Sequence, residues 1–173
     1  MGVVFDGVVW TSYAQLTVTT DLVGTPSPDE AFVSQVNGLC GAAVAGGLFL
    51  ITGTHTGQVP VRVSVLDTAP SGLGEWDEVV EVNLRPATRH AALSGWADDP
   101  AVRFDLPADS YRVRWCASGM DAGHAQDVAD DEHPAPDHYE LMLWPEAPAA
   151  DSIIRRTSAQ AAYWHERGFT RSR

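Results

Sequence analysis

Residues 104–115 read Phe-Asp-Leu-Pro-Ala-Asp-Ser-Tyr-Arg-Val-Arg-Trp, and this stretch decides the fold class. An apolar run closes on Leu106-Pro107, a polar turn follows at Ala108-Asp109-Ser110, and Tyr111 opens a new alternating run. Pro107 fixes φ and ends the incoming ladder. Asp109 and Ser110 carry turn chemistry. Tyr111 stands where the tyrosine of a β-sandwich corner stands, with a phenol able to bond to the backbone just upstream. Beyond it Val113 and Trp115 alternate with Arg112 and Arg114, so the two pairs are expected on opposite faces.

The rest of the chain repeats this style. Residues 8–20 alternate throughout and are expected to form one long strand, with Trp10, Ala14, Leu16 and Val18 sharing a face. Residues 28–36 read as a short helix or a loop. The Gly/Ala-rich 39–46 is expected to pair with the buried run 47–54 through a Gly46-Gly47 turn. In 58–66, Val59, Val61, Val63 and Val65 form one stripe, and Pro60 signals an edge strand or a strand's start. Further strands are expected at 76–84, 91–97, 102–104, 111–118 and 138–144, the last being stopped by Pro145 and Pro148. The period then changes. Asp151 or Ser152 is expected to cap a helix with Ile153, Ile154, Thr157, Ala161 and Trp164 on one face, ended by Gly168. The expected fold is mainly β: an antiparallel β-sandwich of eight or nine strands over 1–150, with a C-terminal α-helix and basic tail over 151–173 packed on the same domain.

The chain has 173 residues, 45% of them apolar, enough for one domain with a proper core. Its formal charge is −12, from 23 acidic residues against 11 basic, all of them arginine. Residues 1–150 hold 21 acids and 6 arginines, whereas 151–173 hold 2 acids and 5 arginines. An acidic body argues against direct nucleic-acid binding and permits steering toward a basic partner. No secretory signal, myristoylation pattern or transmembrane stretch is read, so a cytoplasmic chain is expected. There, Cys40 and Cys116 are expected to be two buried thiols.

No catalytic motif stands out. His124, Asp127, Asp130, Asp131, Glu132, His133 and His138 are chemically suited to a metal, but their spacing matches no HExxH, facial-triad or EF-hand pattern. The carboxylates Asp77, Glu78, Glu81 and Glu140 read as solvated acids on strand faces. Cys40 lacks a basic neighbour, no GxSxG elbow exists, and the glycines of 39–46 fit no phosphate loop. Trp115 and Trp144 read as core anchors, and Trp164 as the residue that docks the helix. The long segment 119–137 carries six acids and reads as an acidic loop insertion, either a recognition surface or a solubilising segment.

The early run VWTSYAQLTV, the middle run VPVRVSVLD, the corner FDLPADSYRVRW and the late run YELMLW together resemble the competence protein J family, bacterial inhibitors of a DNA-entry nuclease, over about residues 10–144. The 119–137 insertion and the C-terminal helix depart from that pattern. The resemblance implies a small non-enzymatic β domain that binds and blocks a nuclease or toxin; separately, the residues lead us to expect no cofactor and no metal. The partner-facing residues are expected to be Asp127, Asp130, Asp131 and Glu132, with Trp76, Asp77 and Glu78. Two alternatives stand beside this: an accessory subunit of a defence, phage or secretion assembly, and a metal-dependent enzyme using the 119–138 His/Asp loop.

Overall fold

Alternating apolar residues bury one side of each strand, and the chain uses that to build two facing sheets. The computed structural model describes residues 2–20, 24–96 and 100–170, with 168–170 as backbone only. In chain order the elements are β1 (Val3–Thr11), β2 (Gln15–Thr20), α1 (Pro28–Ala31), β3 (Cys40–Gly41), β4 (Gly47–Ile51), β5 (Gly57–Val65), β6 (Glu78–Leu84), β7 (His90–Gly95), β8 (Val102–Asp105), β9 (Tyr111–Ser118), α2 (Met120–Gln126), β10 (His138–Pro145), β11 (Ser152–Arg155) and α3 (Ala159–Thr170). One sheet has the order β1-β5-β10-β9-β6-β11 and the other β3-β4-β2-β7-β8. Neighbours are antiparallel except β5 and β10, which run parallel. The mainly-β sandwich expected from the sequence is the fold observed. No helix among the described residues is long and apolar enough to cross a membrane.

The corner forms as the sequence implies. Tyr111 is fully buried, and its phenol oxygen accepts the Ala108 N–H at 2.9 Å. The chain thereby crosses from β8 in one sheet to β9 in the other. The stripe Val59, Val61, Val63, Val65 is buried, as are Val113, Leu141 and Leu143. Across the sandwich they face the core that Leu16, Val18, Leu48, Leu50 and Leu93 complete. Each such side chain contributes about 1.5–3 kcal/mol by leaving water. Trp115 stacks on Tyr139 with centroids 5.0 Å apart, and its indole N–H donates to the Ile51 carbonyl of the opposite sheet at 3.3 Å.

Several expectations are corrected. Eleven strands replace eight or nine, because the single strand over 8–20 is two and because β11 was not foreseen. The break is a two-residue turn at Tyr13 and Ala14, both with φ +56°, closed by a Ser12–Gln15 bridge. It carries the chain between sheets and turns Trp10 outward, 47% exposed, instead of inward with Leu16. Strand β5 is not an edge; Pro60 is tolerated because the β10 ladder begins one residue later, at Val61. Residues 152–155 are a strand on the β6 edge, and the helix begins at Ala159 and runs through Gly168. Asp151 caps no helix: its Oδ2 accepts the Val36 and Asn37 N–H groups, each at 2.9 Å. The last strand is therefore β11 and not β10. The strand end expected at Ala97 and the tail at 171–173 lie outside the described residues.

Strand β9 is buried on both faces, so Arg112 and Arg114 point away from the core without reaching solvent. Glu81 takes Arg112 at 3.2 Å and Arg114 at 2.8 Å, and Arg112 also donates to the Ala149 and Ala150 carbonyls. Trp144 belongs to this outer face by its place in β10, and is buried with Arg114 5.6 Å above its ring.

Tyr111→Phe is expected to lower unfolding stability by about 1–2 kcal/mol, because the Ala108 N–H loses its acceptor. A shift of the urea midpoint with unchanged m-value checks this.

Candidate functional site

The acidic segment 119–137 is ordered around a residue that the sequence does not distinguish from its neighbours. Asp137 is fully buried. It accepts the Gly53 N–H at 3.1 Å, the Thr54 N–H at 2.8 Å and the Thr54 hydroxyl at 2.5 Å, and the Tyr139 hydroxyl donates to it as well. Burial first, then the Asp137 charge, drives the Tyr139 phenol well above its usual range. Gly123 of α2 lies directly on this carboxylate: a Cβ there would come within 2.5 Å of Asp137. The helix is thus pressed onto the sandwich, and the turn after it projects from a fixed base.

That turn is also held by its backbone. The Asp127 carbonyl accepts the His55 and Thr56 N–H groups, and the Ala129 N–H returns to the Thr56 carbonyl. Asp130 Oδ1 accepts the Glu132 N–H at 2.9 Å and the His133 N–H at 2.7 Å. These bonds, that of His133 foremost, hold the exposed Asp130 carboxyl below its ordinary range. Asp131 and Glu132 are exposed beside it. Asp130 and Asp131 flank a groove of about 320 Å³ whose apolar floor includes Val8, Trp10, Pro60 and Pro134. Val8 and Trp10 are about half exposed there.

The sequence missed Val8, Trp10 and Pro60 as parts of this site. Their signal was concealed by the unforeseen turn at Tyr13-Ala14, which sets the face that β1 presents. Of the other candidate residues, Asp127 lies at the far end of the acidic turn, on a separate recess. Trp76 is half-buried and packs on His138, with ring centroids 5.2 Å apart. Asp77 is exposed and accepts the Gly119 N–H at 3.0 Å.

Glu78 is a correction. It is not a solvated acid but fully buried, accepting Thr157 N–H at 3.1 Å and Ser158 N–H at 2.7 Å where the chain enters α3. Glu81 is likewise enclosed by its two arginines.

The histidines and acids of 119–138 do not converge. His124 lines the separate recess, His133 stands against Asp130, and His138 lies under Trp76. Among the described residues no three His, Cys, Asp or Glu side chains are grouped to hold a metal ion. Cys40 and Cys116 are free and buried. Burial pushes both thiols up, that of Cys116 to about 12, which leaves them un-ionised and poor nucleophiles.

The sandwich as a whole is similar to known structures. The chain shares its fold with ComJ. That protein, from Bacillus subtilis, is the inhibitor of the DNA degrading activity of NucA; the match has a TM-score of 0.59 at 18% identity and covers 84% of this chain and 99% of ComJ. The product of crocagin biosynthetic gene J matches with a TM-score of 0.51 at 20% identity, covering 82% of this chain and 96% of that one. No family model and no curated protein matches the sequence. The likeness drawn from the strand runs and the corner is therefore borne out in the fold.

Helix α3 is seated by His165, whose Nδ1 accepts the Gly38 N–H at 2.9 Å. A Cβ on Gly38 would come within 1.9 Å of the Trp164 carbonyl, so only glycine permits this approach. Burial, and then the nearby Arg156, lower His165 to about 4.

Two outcomes are expected. Asp137→Ala should cost about 3 kcal/mol or more, since it strands several buried donors at once; chemical denaturation measures it. The neutral His165 stabilises the fold fully above the unfolded value near 6.5, and that contribution is lost as pH falls from there toward 4, by about 3 kcal/mol at most. Melting curves from pH 7 to 4 should show a steeper decline for the wild type than for His165→Asn.

Proposed function

We propose that this chain is a non-enzymatic binding protein that inhibits a basic protein, a nuclease or toxin, through the acidic groove. The observation that carries the reading is the pairing of Asp130 and Asp131 with the half-exposed Val8 and Trp10 in one recess. Carboxylates set long-range attraction and register, and a desolvated tryptophan supplies affinity. The formal charge of −12 favours encounter with a basic surface and disfavours nucleic acid itself. ComJ, on the same fold, is an inhibitor of a DNA-degrading activity, which supports the same class of role here. Asp127 and Glu132 extend the charge along the turn, with Trp76 and Asp77 at the margin of the same sheet face. A cytoplasmic location is part of this reading.

The test is capture of a nuclease or toxin from the native host, followed by inhibition assays with the purified pair. Replacing Asp127, Asp130 and Asp131 by Asn and Glu132 by Gln should weaken binding by about tenfold or more at low salt and flatten its salt dependence. Trp10→Ala should weaken binding comparably while leaving the salt slope in place. Unchanged affinity and salt dependence in the charge variant would refute the assignment of the turn.

A further inference from the structure

A second recess, of about 770 Å³, opens where α2, α3 and the β1–β2 turn meet. Its size lies within the roughly 300–1,000 Å³ of small-molecule sites. The side chains lining it include Tyr13, His55, His124, Tyr163 and Trp164, with the carboxylates of Asp121 and Asp127, and no arginine is among the described lining residues.

Three observations single this recess out. The first is in the backbone. Four non-glycine residues among those described have positive φ, and three of them, Tyr13, Ala14 and Asp127, line this recess. Such conformations are costly for residues with a Cβ and collect where a site requires a fixed geometry.

The second is the aromatic wall. Tyr13 is 57% exposed, yet its ring is held edge-on by His55 at 5.4 Å and by Trp96 at 5.2 Å. Tyr163 is 45% exposed and meets Trp164 edge-on at 5.2 Å. The wall is thus exposed to solvent and arranged before any ligand arrives. One ring already carries a cation, because the Arg167 guanidinium stands 5.3 Å from the Tyr163 centroid.

The third is charge. Asp121 is fixed in place by the N–H groups of Ala159 at 3.1 Å and Gln160 at 2.7 Å. Asp127 adds a second carboxylate at the start of the acidic turn. Among the described lining residues the only basic groups are the imidazoles of His55 and His124, set against two carboxylates, so the recess disfavours anions. Aromatic faces beside carboxylates attract a positive charge carried on an apolar body.

We propose that this recess binds a small organic cation, an amine or guanidine borne on an aromatic or aliphatic body. The aromatic wall takes the body, and Asp127 sits by the charged end. This site is separate from the acidic groove, and its test does not depend on the inhibitor role.

The full-length protein, labelled with ¹⁵N at its tryptophans, is titrated with tryptamine, with the uncharged tryptophol and with the anionic indole-3-acetate. The Trp164 indole N–H is buried and has no acceptor among the described residues, so its resonance is a local reporter. Tryptamine should shift it saturably, tryptophol should bind about fivefold more weakly, and indole-3-acetate more weakly still. Asp127→Asn, which removes the charge at nearly constant size, should weaken tryptamine by about threefold without affecting tryptophol. Tyr163→Leu should weaken both, and Asp131→Asn in the other groove neither. The proposal is overturned if tryptamine gives no saturable shift at millimolar concentration, if the three ligands bind alike, or if Trp10 responds in place of Trp164.

Discussion

The buried carboxylate of Asp137 is the constraint on which the arrangement of the surface depends. An isolated charge cannot sit inside a sandwich; this one does because two backbone N–H groups and two hydroxyls surround it. Its donors come from the chain leaving β4 in one sheet and from β10 in the other. The interaction therefore fastens the two sheets at the end of β9 where Ser118 meets His138. The tyrosine corner fastens them at the other end, where Tyr111 opens the same strand. Between these points the Trp115–Tyr139 stack fills the core. With both ends fixed, α2 and the acidic turn have one position relative to β1 and β5.

The C-terminal segment is held by the same kind of interaction, used repeatedly. Asp151 collects backbone N–H groups from 36–37, Glu78 from 157–158, and Asp121 from 159–160. Arg112 and Arg114 share Glu81, and Arg112 reaches the carbonyls of 149–150. Much of the acidic composition therefore serves the fold itself. Breaking the enclosed ones, Glu78 with 157–158 or Glu81 with its arginines, would leave an uncompensated charge or donor, so these act as a strap and not as ornament on the surface. Four of the exposed acids, Asp127, Asp130, Asp131 and Glu132, fall within six residues in the turn after α2.

The fold was legible where local pattern and turn chemistry agree. The run from Phe104 to Trp115 announces a corner without knowledge of what it packs against, and the valines of β5 announce a buried face. What sequence periodicity cannot report is what covers the opposite face. Arg112, Arg114 and Glu78 all look like outward residues of half-buried strands. They are enclosed because segments about 40 to 80 positions away cross over them. The turn at Tyr13-Ala14 was missed for another reason. Left-handed backbone is normally signalled by Gly or Asn, and here a tyrosine and an alanine carry it. That turn reverses Trp10 from core to surface, so the groove floor was hidden with it. Ile153 and Ile154 fitted a helical face equally well, and only the free edge of β6 makes them a strand. Asp137 stood among five other acids of its segment, with nothing local to mark it as the buried one.

Charge by itself makes a poor recognition device, since it attracts any basic surface and fades with salt. The acidic turn differs from a solvated charge run in two physical respects. Its geometry is set from beneath by Asp137 and the bonds to 55–56, and Asp130 is tied back to its own loop, so Asp131 and Glu132 project from a rigid support. Each end of the turn also borders a recess with an aromatic component: Trp10 beside Asp130 and Asp131, Tyr13 and Tyr163 beside Asp127. A ligand that answers only the charge forfeits the apolar contact, and one that answers only the apolar surface leaves the carboxylates to be desolvated without compensation. Under both proposals, selectivity comes from requiring the two together at a fixed spacing, and the buried carboxylate supplies that spacing.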